Sequence, residues 1–428
     1  MMPALDIPSQ SEMEEKAQEK DARAVRRWLI IALFASIFLQ RFALPLGADA
    51  VAFNLLVTVL ALVVLICRGA LLLDPVRTVL FFALATVVSL SAAVNAGRAS
   101  MPSLLLFLIM YAPFMFSLQK TEGVLESCVR AFQAMVLVLA VFGILQFVAQ
   151  FVIGTSIPFT FKGILPDWML LPKFNTANPL TWDSPYFKSN GFFLVEPSTF
   201  SQYLAIAVVL ELLFFGVTWR LLVFGLALPT SYSGTGLILL LFLLPWLMLH
   251  LRAYGAIVGV LAFAVLAVFT GSLWNADALF SRISEFGSEG SSANARFIAA
   301  TWLIGSFLMD SARDVFFGLG PGAYAKYAEI VPYEAHDPVW AKMLFEYGVL
   351  GSMVFWPFFL ISIFRGSPSR WISWGILIGF FTFGGMLLDP RYQVLMLIFC
   401  VLPKRLASAP STAQGDWAAS PLHIRPAQ

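Results

Sequence analysis

The stretch VPYEAHDPVWAKMLFEYGVLGSMVFW, from Val331 to Trp356, joins a polar cluster directly to an apolar segment. The apolar segment continues far enough to cross a bilayer, which takes about 20 predominantly apolar residues in a helix. His336 is one of only three histidines in the chain, and it lies between Glu334 and Asp337 just before this segment. The stretch therefore predicts a membrane-spanning helix with a titratable group just before its first turn.

The composition of the whole chain agrees with a membrane location. The residues are 59% hydrophobic and 12% charged, and the mean hydropathy is +0.83. A soluble domain carries about twice that share of charged residues. The net charge of +2 is too small to indicate a nucleic-acid partner. Cys67, Cys128 and Cys400 lack the spacing of a metal or redox site, so we expect no metal and no cofactor.

Apolar stretches recur along nearly the full length, and about twelve of them are candidate spans. They lie near 28–45, 50–67, 76–94, 101–118, 129–153, 193–217, 219–231, 234–249, 253–273, 339–364, 371–388 and 391–403. With twelve crossings, the Lys and Arg residues between spans fall on one side, which the positive-inside rule assigns to the cytoplasm.

We therefore predict an all-α polytopic integral membrane protein with both termini in the cytoplasm. A polar tail at 1–27 precedes the transmembrane domain at 28–403, and a disordered tail at 404–428 follows it. Two long loops, about 154–192 and 274–338, fall together on the outer face under this topology. Loops of such length are usually functional, although inert extensions also occur.

Three basic residues in or beside these loops are candidates for binding a phosphate group. They are Lys188, Arg296 and Arg313. Ammonium and guanidinium groups suit phosphate oxygens, so a diphosphate at the membrane surface is a fitting ligand. The alternative is that these side chains are solvated or contact lipid head groups. The segment 294–311, which includes Arg296, is predicted as an amphipathic helix in the outer leaflet.

Three predicted helices on the outer face begin after an acidic residue followed by proline, at Glu196, Asp337 and Asp389. Aspartate is a good helix cap and proline suits the first turn, so Asp337 and Asp389 are explained as helix starts. Glutamate caps less well, which leaves a functional role open for Glu196. The exposed amides of each helix start favour anions. Further along, Lys342 lies one turn before Glu346 and is its expected partner within the span.

Two glycine-containing motifs lie near the same face. The motif GLGPG at 318–322 lacks the preceding strand and the following Lys-Ser/Thr of a phosphate loop, so it is predicted to be a sharp turn. The motif SYSGTG at 231–236 separates two short helices, and it either presents amides to the outer face or is a flexible linker. Arg41, near the outer end of the first span, is expected to snorkel to the interface.

Four stretches together resemble the O-antigen polymerase and O-antigen ligase superfamily in order and spacing. They are KSNGFFLVEPSTFSQYLA, PTSYSGTG, NARFIAATW and FFGLGPGAYAKY…EAHDPVWAKMLFEYGVLG, within roughly 188–356. The resemblance implies a GT-C-like, all-helical membrane glycosyltransferase of the bacterial inner membrane. It also implies transfer from an undecaprenyl-diphosphate-linked oligosaccharide to an acceptor glycan on the periplasmic face, without a nucleotide sugar or a required metal. The basic positions and the histidine of the family match Lys188, Arg296 and His336.

The chain departs from the family pattern at two of these places. The first basic position is commonly Arg, whose guanidinium can contact a diphosphate in a bidentate manner. The ammonium group of Lys188 cannot make that bidentate contact. The histidine is usually followed by Asn, whereas Asp337 follows His336. The sequence EPS at 196–198 is more similar to polymerases than to ligases.

The chemistry of glycosyl transfer assigns roles to these residues. A sugar hydroxyl is a poor nucleophile, so His336 is the candidate base, with Glu334 or Glu196 orienting it or serving instead. Arg296, Lys188 and Arg313 would stabilise the departing diphosphate. We expect a polymerase of lipid-linked repeat units, with an O-antigen ligase as the alternative and a polysaccharide transporter or flippase as a further one. Chain-length regulator and flippase proteins are the expected protein partners.

Overall fold

The structure is a computed structural model of the full chain. It describes residues 10–46, 49–119, 123–154, 159–161, 164–172, 176–180, 184–252, 259, 294, 298–331, 335–382 and 386–403. Among these residues the chain is mostly helical. Short antiparallel strands pair twice, β1 (Ala43–Leu46) with β2 (Asp49–Ala52), and β3 (Leu71–Leu73) with β4 (Phe116–Leu118).

The first part of the chain contributes long helices joined by short connections: α1 (Gln10–Phe38), α2 (Phe53–Cys67), α3 (Pro75–Val94), α4 (Met101–Tyr111) and α5 (Val124–Ile153). A single 3-10 turn, Ala112–Met115, extends α4, and another, Asp167–Met169, lies in the long loop after α5. The described residues of the predicted polar tail, 10–27, belong to α1.

The remaining described chain contributes further helices, and the three in its middle, α9–α11, are the shortest. The helices are α6 (Pro197–Phe214), α7 (Trp219–Thr230), α8 (Gly234–His250), α9 (Ala299–Leu303), α10 (Ala312–Phe317), α11 (Ala323–Ala328), α12 (Val339–Arg365), α13 (Arg370–Thr382) and α14 (Pro390–Met396). One π-helical turn each extends α9 (Ile304–Leu308) and α14 (Leu397–Val401), and a 3-10 turn, Met386–Leu388, precedes α14.

Among the described residues, four helices are long and apolar enough to cross a membrane, namely α3, α5, α6 and α12. Their bounds agree closely with four of the predicted spans. Shorter apolar helices occupy the positions of further predicted spans, including α2, α7, α8, α13 and α14. The predicted class of helical membrane protein is thus supported. The predicted span at 253–273 lies outside the described residues except for position 259, and so does the tail at 404–428.

Contacts between helices fix their relative directions. Asp74, at the start of α3, lies 3.6 Å from Arg365, at the end of α12. At the other end of this antiparallel pair, the Ser91 hydroxyl donates to the Glu346 carbonyl (3.0 Å). Arg77 donates to the Val401 carbonyl (2.8 Å), so α14 ends where α12 ends. Therefore α12 and α14 run in the same direction.

The direction of α6 follows from its packing on α5. Gln133 donates to the Ala207 carbonyl (2.8 Å), and Gly143 packs against Phe200, so α5 and α6 are antiparallel. Phe132 of α5 contacts Phe399 near the end of α14. As a result α6 runs parallel to α12 and α14. The three acid–proline helix starts therefore all point toward one end of the bundle, which we call the acid–proline end.

The opposite end of the bundle holds cations from several interhelical segments. Arg77 and Arg365 both approach Asp74, Arg68 pairs with Asp21, and Arg130 pairs with Glu126. The sequence places these cations on one side, and the structure brings them to one end. Assigning that end to the cytoplasm stays a prediction.

Candidate functional site

Buried polar side chains collect toward the acid–proline end in two groups. The His336 group comprises Tyr324, His336, Asp337, Lys342 and Glu346, around the start of α12. The second group, the Arg391 group, comprises Gln40, Glu196, Tyr203, Asp389 and Arg391, between α1, α6 and α14. The hydrogen bonds that build the two groups involve different elements, so they are described separately.

Two contacts hold the loop that carries His336. The Tyr324 hydroxyl donates to the His336 carbonyl (2.7 Å), and the Lys342 ammonium lies 2.6 Å from the Asp337 carboxylate. His336 itself is half-buried. Burial and the carboxylates of Asp337 and Glu346 raise the pKa of Tyr324, so this phenol stays a neutral donor at physiological pH.

Two sequence-based expectations for this group need correction. The residue that caps α12 is Pro338, with no side-chain cap, because Lys342 engages the Asp337 carboxylate. Lys342 consequently forms its ion pair with Asp337 and not with Glu346. The reason is that the loop before α12 folds back over the first helical turn, which brings Asp337 close to a residue five positions later.

Glu346 is fully buried, and it stabilises the start of α11. Its carboxylate accepts the Tyr324 amide (3.3 Å), which suits the positive end of a short helix. Immediately after it, α12 is broken at Gly348, whose φ of 68° and ψ of −168° lie outside the helical region. The break exposes carbonyl groups within a predicted membrane span, and those groups need other donors.

The motif GLGPG supplies those donors. The Leu319 and Gly320 amides donate to the carbonyls of Phe345 (2.9 Å) and Glu346 (3.0 Å). Gly318, Gly320 and Gly322 all have positive φ, which confirms the predicted sharp turn. A side chain at Gly318 would overlap the backbone of Glu346. The motif therefore packs against α12 and supplies hydrogen-bond donors to it. Its glycine pattern predicted the turn but not this contact.

The Arg391 group is built around a buried ion pair. Asp389 caps α14 by accepting the Arg391 amide (2.8 Å), as predicted, and its carboxylate also accepts the Arg391 Nε at 2.8 and 2.7 Å. Glu196 is half-buried, accepts the Ser198 hydroxyl (2.8 Å) and acts electrostatically on Arg391. Glu196 precedes α6 at the capping position, but its carboxylate makes no capping bond to the helix, so a functional role for it stays a prediction.

Gln40, two residues after the end of α1, and Tyr203 of α6 extend this group. The Tyr203 hydroxyl donates to the Arg391 carbonyl (3.1 Å), and the Gln40 amide donates to the Tyr203 hydroxyl (3.2 Å). None of Gln40, Tyr203 or Arg391 was singled out from the sequence. The available signal was the arginine two positions after the Asp389 cap, because a basic residue there can fold back onto the cap.

The structure places the other predicted residues as follows. Lys188 is partly buried, and its amide donates to the Asn178 carbonyl (2.8 Å). Arg313 is exposed and donates to the Val94 carbonyl at the end of α3, a position where a cation stabilises a helix terminus. Arg296 and Glu334 lie outside the described residues. The described contacts therefore do not by themselves assemble the six predicted residues into one site.

The segments around the long loop and the SYSGTG motif are more tightly packed than expected. Arg41 is buried instead of snorkelling, because its Nε donates to the Leu194 carbonyl (3.0 Å) and its guanidinium stacks over Phe161 at 4.7 Å. In SYSGTG, the Gly236 amide donates to the Ser201 hydroxyl (2.9 Å). A side chain at Gly236 would overlap the α6 backbone, so this segment is a close crossing of α6 and α8 and not a flexible linker.

In the described ranges, no three His, Cys, Asp or Glu side chains come together as metal ligands would. No protein-family model matches the chain, and no curated protein matches it. The described structure by itself defines a helical membrane protein with two buried polar groups toward one end of its bundle.

Proposed function

We propose that the protein is a membrane glycosyltransferase that polymerises lipid-linked repeat units. It would transfer glycan from an undecaprenyl-diphosphate-linked oligosaccharide to a sugar hydroxyl of an acceptor glycan, at the outer face of the bacterial inner membrane. The observation that carries this proposal is that the starts of α6, α12 and α14 all point toward the same end of the bundle, opposite the cations Arg77 and Arg365. Helix amides at this end suit an anionic lipid head group.

The chemistry requires a base and a stabiliser of the leaving group. The acceptor hydroxyl gives its proton to His336 while its oxygen forms a bond to the anomeric carbon, with inversion. The bond between that carbon and the diphosphate oxygen breaks, and the diphosphate leaves with its negative charge. Lys188, Arg296 and Arg313 would hold that charge. Glu334 would orient the histidine or replace it as base, whereas the other candidate from the sequence, Glu196, lies beside Arg391 in the second polar group.

The proposal includes a topology. Twelve crossings with cytoplasmic termini and a GT-C-like arrangement would place the His336 group at the periplasmic surface, within reach of the lipid carrier. Chain-length regulator and flippase proteins are the proposed neighbours in the membrane. Cysteine labelling of a loop residue such as Trp168, which is exposed, would locate the long loop after α5. Cytoplasmic labelling there would contradict the proposed topology.

The decisive experiment compares two histidine variants in cells from which the chromosomal gene has been removed. His336→Ala is expected to abolish polymer, whereas His250→Ala is the matched control because His250 lies at the end of α8, beside Trp371. Membrane levels of both variants are compared by immunoblotting. Full-length polymer with normally inserted His336→Ala would overturn the assignment. Cells lacking the protein should accumulate single lipid-linked repeat units; accumulation of long lipid-linked chains would instead indicate the ligase.

One observation favours transport of the lipid-linked unit as a second candidate. The break at Gly348 makes α12 a discontinuous helix, and it lies next to the buried Glu346, as in many secondary transporters. Reconstitution into liposomes that contain lipid-linked units separates the two functions. Translocation without new glycosidic bonds would support the transporter, and new bonds without translocation would support the transferase.

A further inference from the structure

The loop that carries His336 is attached at two successive residues. On one side, the carbonyl of His336 itself accepts the Tyr324 hydroxyl at 2.7 Å. On the other side, the carboxylate of Asp337 lies 2.6 Å from the Lys342 ammonium. These two attachments come from different helices, α11 and α12. A pair of attachments on adjacent residues restricts both the position and the rotation of the peptide that joins them.

The first attachment comes from a rigid part of the structure. Tyr324 is 1% exposed, and its ring contacts the Phe345 ring at 5.4 Å. Its amide donates to the buried carboxylate of Glu346. Tyr324 is therefore fixed at its ring and at its backbone. Its hydroxyl consequently has a defined position, from which it donates to the His336 carbonyl. Because burial raises its pKa, the hydroxyl keeps its proton over the physiological range.

The second attachment is equally constrained. Lys342 is buried in the first turns of α12, where its amide donates to the Pro338 carbonyl (2.9 Å). Its ammonium interacts with the charges of both Asp337 and Glu346. One cation thus connects the carboxylate beside His336 with the carboxylate that caps α11. The two attachments share Glu346, so they form a single connected unit.

We propose that Tyr324 and Lys342 are positioning residues that hold His336 in the orientation needed for proton transfer, with Glu346 as their common anchor. This inference rests on the proposed function, since it assigns His336 the role of base. Catalysis depends steeply on such placement, because a displacement of about 1 Å can cost roughly 100-fold in rate. Neither residue has to touch the substrate for this effect.

The test uses the full chain in lipid nanodiscs, with lipid-linked units isolated from cells lacking the protein as both donor and acceptor. Tyr324→Phe removes only the hydroxyl, and Tyr327→Phe, one turn later in α11, is the matched control. We expect kcat to fall about 10- to 100-fold in Tyr324→Phe and to stay within about twofold in Tyr327→Phe. KM should change little in both, since substrate contacts are retained.

The ion pair is tested by a conservative rescue. Lys342→Met should lower kcat to a similar extent, and Lys342→Arg, which keeps the cation, should recover most of the loss. Amide hydrogen exchange at 335–337 should rise in Tyr324→Phe and in Lys342→Met, which is measured without any turnover. A merely structural role of the Tyr324 hydroxyl would destabilise the whole chain, so exchange in α3 serves as the internal reference in Tyr324→Phe and is expected to stay unchanged there.

The outcomes separate this inference from the proposed function. Normal kcat in Tyr324→Phe, together with an inactive His336→Ala, would overturn the positioning role and leave the function standing. Full activity in His336→Ala would remove the proposed base and with it the purpose of the positioning. Unchanged exchange at 335–337 in both variants would overturn the inference whether or not the protein forms glycosidic bonds.

Discussion

Replacing Lys342 by Met is the most direct test of the charge balance in the His336 group. The Lys342 side chain is 9% exposed and that of Asp337 27%, with 2.6 Å between ammonium and carboxylate. Glu346 is fully buried nearby. Methionine fills a similar volume but removes the cation, which leaves two poorly solvated carboxylates close together. Loss of one partner from a buried ion pair typically costs 3–5 kcal/mol, and the partial exposure of Asp337 favours about 3 kcal/mol here.

The assay is thermal unfolding of the purified protein in a single detergent, followed by tryptophan fluorescence. A loss of about 3 kcal/mol should lower Tm by roughly 3 °C in a chain of this size. Lys326→Met is the matched control, because Lys326 is exposed and donates only to the Arg98 carbonyl (2.8 Å). That control should stay within about 0.5 kcal/mol of the parent protein.

A second substitution tests whether Glu346 shares the cation. Adding Glu346→Gln to Lys342→Met neutralises the buried carboxylate while keeping an oxygen that can accept the Tyr324 amide. If Lys342 balances both carboxylates, the double variant should be more stable than Lys342→Met alone, which is a non-additive result. The reasoning is refuted if Lys342→Met unfolds at the same temperature as Lys326→Met, or if the second substitution only destabilises further.

Three further perturbations have defined outcomes in the same unfolding assay or by hydrogen exchange. Gly348→Ala should destabilise by more than about 1 kcal/mol because its φ is positive and its space is filled, whereas Gly225→Ala, in open space within α7, should be neutral or stabilising; equal effects would contradict this. Arg391→Leu should cost about 3–5 kcal/mol by leaving Asp389 unbalanced, and adding Asp389→Asn should recover part of the loss; a single variant as stable as the parent would contradict this. Arg41→Ala should raise amide exchange at 159–161 and 193–195, and unchanged exchange would show that other contacts hold the loop.

The positions of the long helices were predictable because each depends on local composition. The span predicted at 339–364 is α12, Val339–Arg365, and that at 76–94 is α3, Pro75–Val94. The break at Gly348 was not predictable in the same way. A glycine within an apolar run looks like any packing glycine, and the donors that satisfy the carbonyls at the break include the amides of Leu319 and Gly320. Those amides come from a distant part of the sequence.

The candidate site was predictable in its residue types but not in its pairings. Acid–proline pairs mark helix starts from local rules, and the structure brings those starts to one end. The partner of each charged group depends on tertiary folding, so helical spacing assigned Lys342 to Glu346 when Asp337 is its ion-pair partner. Arg391 was not predicted for the same reason. It interacts with Tyr203 of α6 and with Glu196 just before α6, and both are distant from it in the sequence.

The two polar groups lie at different depths along the bundle, as α4 shows. The Ser100 amide, just before α4, donates to the Pro321 carbonyl beside the His336 group (2.7 Å), whereas the Tyr111 hydroxyl, at the end of α4, donates to the Leu387 carbonyl beside Asp389 (3.2 Å). Eleven residues of helix separate these levels by roughly 16 Å. At the deeper level Asp389 and Arg391 are both buried, and Asp389 neutralises Arg391 directly, as a charge inside a membrane protein requires. The shallower His336 group is where a lipid-borne diphosphate and an acceptor hydroxyl could both arrive. For the proposed glycosyl transfer, the geometry therefore favours the His336 group as the site of reaction. It favours a structural role for the Asp389–Arg391 ion pair.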